Sequence, residues 1–202
     1  MASWGPVLSL ILASLAVMGS PGPATISIAA VGSAFGVVRA IPYLVGLVAG
    51  AVGVLLVVAL GLSAALLSLP AIGPALTIAS VAYVIYLAWR IATAPPLASL
   101  DPARVPPSLW GGFVLGIANP KAYVAIAAVF AANRVTVEPT TDAVAKTAVL
   151  VAMIVVIHVV WLLAGTVLAR LLTNPTIGRI ANIGLAAAML LASLAALLSH
   201  RG

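Results

Sequence analysis

The stretch GGFVLGIANPKAY, residues 111–123, places an Asn-Pro pair and a lysine in the middle of a long apolar run. Proline removes a backbone N–H and clashes with the preceding turn, so a helix written through this run must break at Pro120. The run around it is long enough to span a bilayer. Lys121 lies about a dozen residues from Leu109, which at 1.5 Å rise per residue puts it roughly 15 Å from either interface. That is beyond the easy reach of a snorkelling side chain. An ammonium at such depth costs about 3 kcal/mol or more.

Composition fixes the class. Of 202 residues, 64% are hydrophobic and only 6% are charged, against about 25% charged in a soluble domain. Mean hydropathy is +1.31. Such a chain cannot cover a water-facing surface, so it reads as an all-α, multi-pass membrane protein. The net charge of +6 comes from 9 basic and 3 acidic residues. The bases stand singly near span ends, which suits topology rather than a nucleic-acid patch. There is no cysteine, which removes disulfides, thiol redox chemistry and thiolate metal sites. No Lys or Arg precedes the first apolar run, and Pro21-Gly22-Pro23 makes a poor cleavage site, so that run reads as a retained span.

Six apolar windows are long enough to cross: Val7–Val31, Ile41–Leu67, Ile72–Ile91, Leu109–Ala131, Thr147–Leu171 and Ile177–Leu198. The breaks between them carry Arg39, Ser68-Leu69-Pro70, the Pro-rich segment 94–107, Arg134–Lys146 and Thr173-Asn174-Pro175. The whole chain, 1–202, reads as one transporter domain. Placing both termini outside puts Arg39, Arg90, Arg104, Arg170 and Arg179 inside, against Arg134, Lys146 and Arg201 outside, the orientation that basic residues favour.

The two halves, about 1–101 and 102–202, match in one respect. Pro21-Gly22-Pro23 interrupts the first span as Asn119-Pro120 interrupts the fourth, and Pro21 and Pro120 are 99 residues apart. Three spans per half make the second half inverted relative to the first. Interrupted spans at matching positions of inverted halves point to a transporter binding site. Past each break a half-helix begins, with orphaned N–H groups and the positive end of a dipole. Ser20 and Asn119 occupy N-cap positions, and proline is favoured just inside a helix start. Two such ends suit an anion, such as an amino-acid carboxylate. No Asp or Glu lies within a span to neutralise Lys121. Its partner is then a substrate carboxylate or, in a purely structural role, backbone carbonyls.

His158 is the one histidine inside a span. It suits a proton relay, or equally a bundle-interior ring bonded to a nearby carbonyl. Tyr43, Tyr83, Tyr86 and Tyr123 suit a cavity lining or the interfacial belts, while Trp4, Trp89 and Trp110 suit interface anchors. Gly46, Gly50 and Gly53 allow close helix approach, within the chain or in a homodimer.

In order and spacing, four pieces together resemble the LysE/RhtB family of bacterial amino-acid exporters over essentially the whole length. They are Pro21-Gly22-Pro23, Gly46 with Gly50, the run from Tyr83 through Tyr86 and Trp89 to Arg90, and Phe113, Gly116 and Asn119-Pro120-Lys121-Ala122. Residues 82–93 and the stretch from Trp161 to Gly165 are similar to the cysteine/O-acetylserine branch. The resemblance implies efflux of a small amino acid or derivative across the inner (plasma) membrane, driven by the proton gradient, with no cofactor and no enzymatic activity. Many members follow Pro-Gly-Pro with Asn or Asp, where this chain has Ala24 and then Thr25. The expected substrate site is therefore Pro21, Gly22, Pro23, Thr25, Asn119, Pro120 and Lys121, shaped further by Tyr83, Tyr86 and Tyr123.

Two other classes fit less well. Gly61-Leu62-Ser63-Ala64 partly resembles the Gly-x-Ser-Gly of rhomboid-type proteases but lacks its final glycine. A cation or metal transporter would want carboxylates or a Cys/Met cluster, and the spans offer neither.

Overall fold

A computed structural model describes residues 4–61, 72–93, 105–171, 176, 179–180, 183–188 and 190–191. The described residues form helices, and no strand occurs among them. The helices are α1 (Gly5–Val17), α2 (Pro23–Ala59), α3 (Ile72–Ala92), α4 (Leu109–Ala118), α5 (Pro120–Ala132) and α6 (Pro139–Leu171). Residues 183–188 are also helical. Most of the window Ile177–Leu198, Ser63, and residues 62–71, 94–104 and 172–175 lie outside the described residues.

Both predicted breaks occur. The first apolar window splits between Val17 and Pro23, with Pro23 in the first helical turn of α2. The fourth splits at Asn119, where α4 and α5 meet at a bend of 58°. The boundary predicted at Arg39 moves to Gly36. Its φ of 77° turns the chain between two helical segments of α2, a conformation open to glycine and strained for other residues. Arg39 sits in the first turn of the second segment, with its guanidinium 5.9 Å from the Phe35 ring centroid.

Helix α6 begins at Pro139, earlier than the predicted Thr147, because its polar first turns are internally satisfied. Glu138 caps the start, accepting from Thr140 N at 2.9 Å and from Thr141 N. Asp142 pairs with Lys146 one turn on, at 2.8 Å. Asp142 also takes the N–H groups of Val135 and Thr136. Lys146 closes the far end of α5, donating to Phe130 O at 2.9 Å and Asn133 O at 3.2 Å. The predicted outer loop Arg134–Lys146 thus shrinks to the few residues before Pro139.

Among the described residues, α2 and α6 are long and apolar enough to cross a membrane, and the bent α4–α5 pair makes a third candidate. Helix α2 packs on α6 along one side and on α4 along another. Small residues set both contacts. A Cβ at Gly165 would stand 2.0 Å from Ala29 O, so α6 rides directly on the α2 backbone. A Cβ at Gly46 would meet Leu109 O at 1.9 Å, one at Gly50 would meet Phe113 O at 2.5 Å, and one at Gly112 would meet Tyr43 O at 2.2 Å. Gly46 and Gly50 are therefore spent on α4 of the same chain. Membrane helices associate through such close packing because lipid gives apolar side chains no reason to prefer each other. Two apolar clusters fill the interior. One gathers Ile28, Phe35, Tyr43, Leu47, Leu87 and Leu115. The other gathers Leu10, Val54, Leu55, Tyr123, Ile126 and Ile154.

Candidate functional site

The two breaks meet. Lys121 Nζ donates to Ser20 O, to Ser20 Oγ at 2.8 Å and to Pro21 O at 3.1 Å. An ammonium has three donors, and all three go to the first break. Lys121 thus has backbone carbonyls as partners, the structural alternative its position allows. The same contact requires Gly22, where a Cβ would stand 2.6 Å from Lys121 Cδ and 2.9 Å from Nζ.

Most polar groups of the first break have partners. Ser14 O takes the N–H groups of Met18 and Gly19. Gly19 O accepts from Trp161 Nε1 at 3.1 Å, which ties α6 to the break. Ser20 and Pro21 carbonyls go to Lys121. Backbone groups freed at membrane depth need such partners.

Ser20 is not the N-cap that its position suggests. With Pro23 opening α2, the cap falls to Gly22, and Ser20 Oγ donates back to Val17 O at 2.8 Å instead. Thr25 supplies the cap bond from inside the helix, accepting from Gly22 N at 2.9 Å. Asn119 caps α5 as expected, accepting from Lys121 N at 3.2 Å.

A cavity of ≈ 460 Å³, its open mouth included, lies between these helix starts. The break and α2 contribute Met18, Gly22, Ala24, Thr25 and Ala51. The bent pair contributes Gly116, Asn119, Lys121, Ala122, Ala125 and Ile126, and α6 contributes Ile154 and His158. Gly22, Thr25, Asn119, Lys121 and His158 of the predicted site therefore come together. Pro21, Pro23 and Pro120 shape the breaks from outside the lining. Tyr83, Tyr86 and Tyr123 are not in it. Tyr83 packs its hydroxyl end against Gly111 and its ring 5.9 Å from that of Tyr86. Tyr86 is 46% exposed. Tyr123 is buried in the second apolar cluster, and Tyr43 donates to Ser27 Oγ at 3.1 Å. The lining residues that the sequence did not single out, Met18, Ala51, Ala125, Ile126 and Ile154, are small or apolar and carry no chemical signal.

Electrostatically the cavity is one-signed. Lys121 is its one charged side chain, and two helix N-termini add partial positive charge. His158 is 7% exposed. Its Nδ1 lies 2.7 Å from Ile154 O, while Nε2 has no hydrogen-bond partner.

Residues 15–202 match the sequence model of the LysE type translocators. The chain belongs to the LysE type translocator family. No curated protein and no solved structure matches it. Membership makes it a transporter of the membrane, in keeping with the apolar lengths of α2 and α6. In this LysE type translocator the meeting of the two breaks brings Thr25, Asn119, Lys121 and His158 to one cavity.

Proposed function

We propose that this translocator exports a small amino acid or amino-acid derivative across the inner (plasma) membrane, driven by the proton gradient, and that the cavity between the two breaks is its substrate site. The observation that carries this is the shared border: the starts of α2 and α5, each opened by a proline, line one cavity with Lys121 between them. Paired half-helix N-termini and an ammonium favour a carboxylate.

The mechanism follows from the bonds. Lys121 holds the first break from the second. A substrate carboxylate that takes one of its N–H donors weakens that tie and gains a charge-assisted bond in return. The two halves, six spans in inverted three-span repeats with both termini outside, then rock around the cavity and expose it to the other side. The resemblance of residues 82–93 to the cysteine/O-acetylserine exporters narrows the substrate to small polar amino acids. The metal-transport reading gains no support, since no three His, Asp or Glu side chains gather among the described residues.

Efflux tests this. Cells loaded with a mixture of L-amino acids release one or a few faster when they carry the translocator than when they carry empty vector, followed by mass spectrometry of the medium. Equal release of every amino acid overturns the proposal.

A further inference from the structure

We infer that His158 Nε2 is the receptor for the substrate's ammonium group and that a proton competes with the substrate for that one atom, which couples export to proton entry. The inference rests on the exporter reading above and adds the substrate's second charge and the coupling device.

The tautomer is fixed by geometry. Ile154 O can only accept, so Nδ1 must donate the 2.7 Å bond. In the neutral ring Nε2 then carries a lone pair and no hydrogen. Among the described residues that atom has no partner, and its residue lines the cavity. The other side-chain oxygens there each already accept an N–H: Thr25 Oγ1 from Gly22 N and Asn119 Oδ1 from Lys121 N. A buried lone pair left without a donor costs free energy, so a ligand that brings an N–H is favoured.

The charge around it selects which ligand. From α5 the cavity receives the Lys121 ammonium. From α1, the break and α2 it receives Met18 and the neutral Thr25, and no charged side chain. From α6 it receives only His158 and Ile154. A bare cation meets Lys121 and two helix N-termini with nothing to offset them. A zwitterion satisfies both ends, its carboxylate toward Lys121 and the N-termini, its ammonium on Nε2. The required ligand is an α-amino acid with both charges free.

Exclusion follows from atom count. Nε2 has one lone pair. When it holds a proton it becomes a donor and repels the substrate ammonium; when it accepts from the ammonium it cannot take a proton. One proton in for one amino acid out is the exchange such a site performs.

The test uses the full-length protein in liposomes with the L-amino-acid mixture as probe. Two readouts are taken: exchange of labelled for unlabelled amino acid without a pH gradient, and accumulation driven by a pH gradient with proton movement followed by a trapped dye. His158→Gln keeps an acceptor oxygen and loses the titrating nitrogen. The expected result is exchange that is weakened but no longer changes with pH, with gradient-driven accumulation down at least about tenfold and proton movement lost. Gradient-driven accumulation and proton movement persisting in this variant overturns the inference while leaving the exporter reading intact. If the variant is inactive in both readouts, wild type decides. Acidification that raises KM for exchange at constant Vmax supports competition at one site, and an unchanged KM overturns it. If wild type moves no amino acid, both readings fall together.

Discussion

Lys121 and Ser20 are 101 positions apart in the chain, yet the ammonium of one bonds both the carbonyl and the hydroxyl of the other. The bond joins the two places where proline interrupts a membrane helix. Each break leaves what the other needs: the first frees carbonyls, and the second supplies the donors. Removing the donor therefore harms both. Lys121→Met removes the ammonium from the Ser20 and Pro21 carbonyls and leaves Ser20 O only the 3.4 Å bond from Thr25 Oγ1. A hydrogen bond to a charged group contributes about 1.5–3 kcal/mol. The expected outcome is a lower melting temperature in detergent and loss of specific amino-acid efflux at equal expression. A variant as stable and as active as wild type would show that the bond serves neither fold nor transport.

Gly22 is needed for clearance, not for backbone freedom. Its φ of −168° is extended backbone that any residue adopts. A methyl group there meets Lys121 Cδ and Nζ at 2.6 Å and 2.9 Å, and the lysine must move. Gly22→Ala is expected to reduce efflux as far as Lys121→Met does, and the double variant is expected to be no worse than either. Additive losses in that cycle would separate the two residues. Gly5→Ala serves as the control, since a Cβ there meets nothing within 4 Å.

The α2–α4 contact tolerates no side chain. At Gly112 the added Cβ would lie 2.2 Å from Tyr43 O and 2.9 Å from Leu47 N. Backbone on both helices must separate, whereas overpacking against side chains alone costs about 1–3 kcal/mol. Gly112→Ala is expected to cut the yield of folded protein sharply, read as the monodisperse fraction in size-exclusion chromatography. Gly53→Ala, whose nearest neighbour is the Ile117 Cδ1 methyl at 3.3 Å, is expected to be far milder. Because Gly46 and Gly50 are consumed in this intramolecular contact, a homodimer, if formed, must use another face.

Much of this architecture is written in residues whose physics is unconditional. Proline cannot sit mid-helix without consequence, so both breaks are legible at Pro21-Gly22-Pro23 and Asn119-Pro120. Asn119 as a cap follows from its short side chain beside a proline. The turn at Gly36 is not legible, because nothing in sequence separates a glycine chosen for positive φ from one chosen for close packing, as at Gly46. The partners of Lys121 are hidden for a related reason: carbonyls belong to every residue, and only three dimensions say which are left over. Tyr83, Tyr86 and Tyr123 were drawn to the site because tyrosine suits a lining, a belt and a core equally well. His158 was ambiguous in sequence between a relay and a ring bonded to a carbonyl. One nitrogen does bond a carbonyl, and the other is buried without a partner among the described residues.

Glu138 gives the start of α6 a pH dependence. The N–H and hydroxyl of Thr141, with the N–H of Thr140, hold its carboxyl down from 4.5 to about 2. A carboxylate lowered in the folded state stabilises it above the unfolded value and loses that contribution as pH falls toward the folded one. The loss therefore runs from pH 4.5 down to about 2. The difference in melting temperature between wild type and Glu138→Gln is expected to shrink over that window and to be constant above it. A difference that stays the same at pH 3 and pH 7 would mean that the carboxylate does not cap the helix.

Trp161 ties α6 to the first break, and its loss is expected to separate stability from transport. The indole N–H reaches from α6 to Gly19 O at 3.1 Å, on the same break that Lys121 holds from α5. A neutral hydrogen bond of this kind contributes about 1 kcal/mol, and phenylalanine keeps most of the apolar contact. Trp161→Phe should therefore fold, with a melting temperature only a few degrees lower. Its effect on transport depends on what the break does during the cycle. If the first break stays fixed to α6 while α5 moves, releasing it lets α1 and α2 shift with the lysine, and the gradient couples poorly to movement. Exchange without a pH gradient is then expected to be nearly unchanged, while accumulation against a gradient falls. If both decline in step, Trp161 belongs to the fold of the cavity rather than to the coupling of the two breaks.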